Sequence, residues 1–265
     1  MPTLIGPRRA LLLSRWTPAK LSGLKLWLDA GHGVFSDAGT TPVAADDPVQ
    51  QWNDLSGNGN HVVQATIGLQ PLYKVNIVNG KPVIRFDGVD DSLRKAGQIA
   101  GMENNKFTVV TVGLLRGTPA TSKRGLFTYG ANFTAGFTQW FEITTPKLSF
   151  NLVRTGDSAV NSDGVATIAL DTPYIWAHVY DQVNISGYVN SLLADKQTAE
   201  TSAVDYTPSG TIGLTIGSSH DGTNATRWLQ FDLQKAFYYN RNLSLGELAK
   251  LMRYVSRDLS MSVNA

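Results

Sequence analysis

Short apolar, β-branched runs recur along this chain, each closed by Gly, Asn, Asp, Pro or Ser. That pattern predicts strands joined by turns. Leu24 to Leu28 alternates only loosely. Lys81 to Phe86 lies between Asn79-Gly80 and Asp87-Gly88, dipeptides that favour tight turns. Phe107 to Leu114, Gly125 to Tyr129, Phe137 to Ile143 and Lys147 to Val153 follow. Tyr174 to Tyr180 and Val183 to Val189 predict a hairpin, and Thr211 to Ile216 and Trp228 to Tyr239 complete at least ten strands. No 3.6-residue periodicity separates them, which argues against a βαβ arrangement. The expected fold is all-β, a two-sheet antiparallel jelly-roll sandwich.

One helix is predicted, near the end. Ser244-Leu245-Gly246-Glu247 fits a capping box, with Ser244 as N-cap and Glu247 three residues on. Leu245, Leu248, Leu251 or Met252, and Val255 then share an apolar face.

Composition narrows the classes. The chain has 265 residues, 42% hydrophobic and 17% charged, enough for a large core without covalent staples. With no cysteine, disulfide scaffolds, zinc ribbons and thiol nucleophiles are excluded. A net charge of +2 argues against general nucleic-acid binding. No apolar run reaches membrane-spanning length. The charge is nevertheless uneven: Arg8, Arg9, Arg15, Lys20 and Lys25 precede the first acid, Asp29. Residues 1–20 also hold Pro2, Pro7 and Pro18 beside Leu4, Ile5, Leu11, Leu12, Leu13 and Trp16. They are expected to form an extended basic and apolar arm that docks on another protein through Arg8, Arg9, Leu11, Leu12, Leu13, Arg15 and Trp16. The apolar run is too short for a signal peptide, so no Sec-type export is expected. Residues 21–265 are expected to form the sandwich domain.

Three segments carry a resemblance. They are Leu26-Trp27-Leu28-Asp29-Ala30 with Trp52 to His61, Asn79 to Asp91, and Tyr239 to Ser244 leading into Glu247-Leu248. In this order they resemble the concanavalin A-like lectin/glucanase superfamily in its laminin G-like form. Together with Trp16-Thr17-Pro18 and Leu21 to Ala30, they are most similar to structural proteins of tailed phages and prophages. The resemblance implies a jelly-roll sandwich that is often sugar-binding or adhesive, though such a fold hosts many functions. One departure stands out: an acidic pair common before the Tyr-Asn-Arg stretch is here Gln234-Lys235.

Chemistry-bearing patterns are sparse. Glycosidases need two carboxylates flanking the scissile bond. The four glutamates, Glu103, Glu142, Glu200 and Glu247, are far apart in sequence, and Glu142 has Thr144 and Lys147 where acidic partners belong. His32, His61, His178 and His220 form no triad or metal-spacing pattern, and His178 reads as a satisfied histidine on its strand. No catalytic residue is assigned and no enzyme is expected. Asp54 to Gly59 imitates a calcium loop, but Ala65 stands where the bidentate Glu belongs, so a turn is expected. Asp87, Asp90 and Asp91 are the densest acidic run and the only candidate calcium ligands. Trp27 and Trp176 are expected in the core, and Trp140, Trp228 and Tyr129 at a rim where a sugar could stack. The expectation overall is a non-enzymatic virion protein, homo-oligomeric in the particle, held by its arm to other virion proteins. It would display a lectin-like sandwich toward cell-surface glycans, with no nucleic-acid or membrane partner. The alternatives are a bacterial carbohydrate-binding adhesin module and, last, a polysaccharide hydrolase.

Overall fold

The computed structural model describes residues 16–117, 124–131, 135–142, 146–155, 160–162, 164, 167–190, 192–198, 203–206, 213–219 and 228–261. Among these, the strands are β1 (Leu24–Asp29), β2 (Val34–Phe35), β3 (Gln51–Trp52), β4 (Val62–Val63), β5 (Leu72–Val78), β6 (Lys81–Asp87), β7 (Leu93–Ala96), β8 (Phe107–Leu115) and β9 (Arg124–Ala131). They continue with β10 (Ala135–Phe141), β11 (Leu148–Leu152), β12 (Val160–Ser162), β13 (Tyr174–Tyr180), β14 (Asn184–Val189), β15 (Leu192–Thr198), β16 (Gly213–Ile216) and β17 (Gln230–Tyr239). One α-helix, α1 (Leu245–Leu259), follows; Pro18–Lys20 and Ile67–Leu69 are short 3-10 turns.

The strands form two antiparallel sheets. One runs β15-β14-β13-β8-β17-β6-β5, with β1 also pairing with β17; the other runs β12-β11-β10-β9-β16-β7-β4-β3-β2. The expected β13–β14 hairpin pairs Trp176 with Val189 and Tyr180 with Ile185. Between the sheets lies the main core, where Phe137 stacks with Phe107 and Tyr238 at ring distances of 4.3 and 5.7 Å. His178 sits in this core. The Gln139 side-chain amide meets its Nδ1 at 3.1 Å, while Thr111 Oγ1 donates to Gln139 Oε1 at 2.7 Å.

A second core covers the outer face of the first sheet. Leu248, Leu251, Met252, Val255 and Leu259 of α1 pack there on Val110, Val112, Phe237 and Tyr239. This explains why every residue of β8 is buried: the sandwich lies on one side and the helix on the other. The capping box forms as expected, with Ser244 Oγ accepting from the Glu247 N–H and Glu247 Oε2 accepting from the Ser244 N–H. Leu245, expected on the apolar face, is instead 68% exposed. It is the first helical residue, ahead of the turn that meets the sheet.

Candidate functional site

A concavity lies where β1 and α1 meet, above β17. Along β1, Leu26 and Leu28 enter the main core, so the pleat turns Trp27 and Asp29 to the helix side. The loop that imitated a calcium site holds this strand. Asp54 Oδ1 accepts from the Trp27 N–H at 2.9 Å and the Leu55 N–H donates to Trp27 O at 2.7 Å. Asp54 also accepts from Ser56 and Asn60, and His61 Nδ1 accepts from the Asp54 N–H. The loop is a turn, as expected, and it buttresses β1.

Along β17 the register shifts between Leu233 and Lys235. Gly113 opposite is required there: a Cβ would stand 2.0 Å from Asp232 O. The shift sends Lys235 to the helix side, where its side chain is fully buried. Its ammonium meets Asp29 Oδ2 and, at 2.8 Å, Asp258 Oδ2 of α1. The other Asp29 oxygen accepts from the Gly31 N–H at 2.9 Å. Burial pushes the Asp258 carboxyl up, but the Lys235 hydrogen bond and charge, with Lys81 at 3.7 Å, outweigh it and hold the group below the usual carboxylate range.

Over this triad opens a groove of about 300 Å³ lined by Trp27, Tyr254, Leu55, His32, Asp29 and Asp258. Trp27 rests on Phe237 at 6.1 Å and meets Tyr254 edge-on at 6.4 Å. His32 is largely exposed and its Nδ1 lies 3.7 Å from Asp29 Oδ1. Rings beside carboxylate acceptors suit a polyhydroxylated ligand: apolar sugar faces stack and hydroxyls donate. Trp27 was expected in the core and is only half-buried; Trp176 is fully buried as expected.

The residues expected at a rim are inside. Tyr129, Trp140 and Trp228 are 0, 1 and 4% exposed, so none presents a ring face to solvent. Every residue of β10 is buried, which covers both faces of the strand that carries Trp140. The Tyr129 hydroxyl accepts from the Ile99 N–H at 3.0 Å and donates to Glu103 Oε1 at 3.2 Å, so its polar end is satisfied internally. Trp228 sits in a bridge to Ser218, and its carbonyl accepts from Arg124 Nη1 at 2.8 Å.

Asp87, Asp90 and Asp91 do come together, with one ligand atom from each within 4.8 Å of the others. Burial first, then the charge of Asp87, pushes the Asp91 carboxyl up to about 7. Asp87 Oδ1 accepts from the Val89 and Asp90 N–H groups, and Asp91 Oδ2 from the Asp87 N–H. These bonds close the loop on itself and occupy Asp87 Oδ1 and Asp91 Oδ2.

Of the arm, Arg8, Arg9, Leu11, Leu12, Leu13 and Arg15 lie outside the described residues. Trp16 is described and packs on the domain itself, edge-on to Tyr254 at 5.5 Å and beneath Lys250 Nζ at 5.3 Å. Pro18 O accepts from the Tyr239 hydroxyl at 3.1 Å. Residues 16–20 are thus joined to the sandwich.

No family model matches the chain, and no curated protein matches it. Solved structures do. The binding domain of Paraclostridial Mosquitocidal Protein 1 superposes with a TM-score of 0.62 at 13% identity, over 88% of this chain and 52% of that one. The Botulinum neurotoxin serotype D binding domain gives 0.60 at 10%, over 88% and 51%. Trypanosoma rangeli sialidase in complex with sialic acid gives 0.56 at 14%, over 91% and 34%. The chain spans about half the length of the two toxin domains and a third of the sialidase. At such identity the likeness is one of fold. The fold is a two-sheet antiparallel β-sandwich.

Proposed function

We propose that this chain is a non-enzymatic glycan-binding protein, displayed on a tailed-phage particle, whose ligand lies in the groove between Trp27 and Tyr254. The observation that carries the reading is the Asp29–Lys235–Asp258 triad beneath those rings. It presents acceptors for sugar hydroxyls, and its helix carboxylate, Asp258, is held in the charged form. A general acid needs a carboxyl kept protonated near neutral pH, and Lys235 drives Asp258 the other way. The likeness of fold to two toxin binding domains supports a binding module. Placement in the virion is supported by the resemblance of residues 16–30, 52–61, 79–91 and 239–248 to phage structural proteins, and residues 1–15 carry the apolar and cationic side chains such anchoring would use.

Glycan-array binding by the full-length protein is expected, and Trp27→Ala should abolish it while the thermal transition persists. Release of reducing ends from any bound polysaccharide would overturn the non-enzymatic reading. Mass spectrometry of purified virions tests the location. A chain found in a bacterial envelope instead of a particle would favour the adhesin alternative.

A further inference from the structure

Beside the groove a second cavity of about 170 Å³ opens, lined by Trp16, Lys250, Arg253, Tyr254 and Arg257. Tyr254 lines both cavities, so the two adjoin along α1 as a two-part trough. Three rings follow one another along it, each contact edge-on: Trp27 to Tyr254 at 6.4 Å, then Tyr254 to Trp16 at 5.5 Å.

The two ends differ in charge. At the Trp27 end, the Asp29 and Asp258 carboxylates surround buried Lys235. At the Trp16 end three cations line the cavity and, among the described residues, no carboxylate does. Lys250, Arg253 and Arg257 follow one another at spacings of three and four, which places them on one helix face, and all three are exposed. Cations are favoured in the last turns of a helix by its dipole. That accounts for Arg257, the basic residue of the last turn, but not for three cations meeting two aromatic rings over one cavity.

We infer that the trough binds an acidic sugar residue, its ring lying over Tyr254 and its carboxylate held by Arg253 and Arg257. Planar guanidinium groups pair with a carboxylate through two parallel hydrogen bonds, which selects it over a neutral hydroxymethyl group. The inference rests on the glycan-binding reading of the neighbouring groove and adds the charge class of the ligand. The chain's own first residues do not compete for this end by charge: residues 1–15 carry Arg8, Arg9 and Arg15 and no acid.

Titration calorimetry on the full-length protein tests it, with 3′-sialyllactose against lactose and digalacturonate against its methyl ester, at 20 mM and 300 mM NaCl. At least one acidic probe is expected to bind about tenfold or more tighter than its neutral counterpart, with the advantage shrinking at high salt. Arg253→Ala and Arg257→Ala should each remove about tenfold from the acidic probe and leave neutral-sugar binding unchanged, with Arg253→Lys intermediate. Lys106→Ala, which removes an exposed cation outside the trough, should not alter the preference for acid. If acidic and neutral sugars bind alike, or if both arginine variants retain full affinity for the acidic probe, the inference fails and the glycan reading stands. If neither these probes nor a broad array binds the wild-type protein, the glycan reading itself falls.

Discussion

Lys235 Nζ and Asp258 Oδ2 lie 2.8 Å apart across the seam between β17 and α1, with Asp29 on the other side of the ammonium. A lysine with no exposed side-chain surface is tolerable only because both carboxylates face it. The pair also ties the helix to the strand that spans the centre of the first sheet.

Removing Lys235 should therefore be costly. Lys235→Met is expected to lose about 3–5 kcal/mol in urea unfolding, because it leaves two partly buried carboxylates facing each other. Adding Asp29→Asn and Asp258→Asn should recover part of the loss. A Lys235→Met protein as stable as wild type would show that the triad contributes no net stability.

His178 predicts a loss of stability in acid. Burial pulls its pKa down to about 3, so the folded protein keeps the ring neutral while the unfolded chain takes up a proton below about 6.5. The unfolded state then binds more protons, and stability falls as pH drops from about 6.5 toward 3, by at most about 1.4 kcal/mol per unit. Gln139 faces His178 Nδ1, so His178→Gln retains an amide partner and should flatten this slope. An unchanged pH profile in the variant would refute the assignment.

Asp91 predicts the opposite sign. Its pKa, raised to about 7, means the folded protein binds the extra proton between pH 4 and 7. Its contribution is most favourable below that window and is lost as pH rises through it, by up to about 1.4 kcal/mol per unit. Asp91→Asn should stabilise the protein at pH 8 and keep the bond from the Asp87 N–H. Melts in EDTA and in calcium are expected to nearly coincide; a calcium-induced rise of many degrees would identify Asp87, Asp90 and Asp91 as a metal site.

Two truncations should behave differently. Deleting residues 1–15 is expected to leave the melting temperature nearly unchanged and to remove the protein from assembled particles. Deleting residues 1–20 also takes away the Trp16 contact with Tyr254 and the Pro18 carbonyl that the Tyr239 hydroxyl uses. It should lower the transition by several degrees, since burying one large side chain contributes about 1.5–3 kcal/mol. Equal melting temperatures for the two truncations would show that these contacts are energetically idle.

The sequence foretells the long strands well, since runs such as Phe107 to Leu114 and Tyr174 to Tyr180 carry their own pattern. It hides β2, β3 and β4, two residues each, which exist only because neighbouring strands hold them, and it also passes over β5 and β15, seven residues each, whose polar residues break the apolar pattern. The site is less legible. Trp27 has apolar neighbours and reads as core, but the pleat sends Leu26 and Leu28 inward and Trp27 out. Lys235 reads as a lost acidic pair, because a register shift leaves no mark in composition. His32, Tyr254 and Asp258 lack any motif; only the tertiary fold brings them to Trp27. Tyr129, Trp140 and Trp228 err the other way, since an aromatic in a strand reads alike on either face.

The placement of the cationic row on α1 has an evolutionary consequence. The helix is fastened to the sheet by Leu248, Leu251, Met252, Val255 and Leu259, whereas Lys250, Arg253 and Arg257 face water. Substitution at such exposed positions usually changes stability by less than about 0.5 kcal/mol. Selection on what the trough recognises can therefore proceed almost independently of selection on folding. A lineage can retune its target by changing a few helix codons while the sandwich beneath stays as it is.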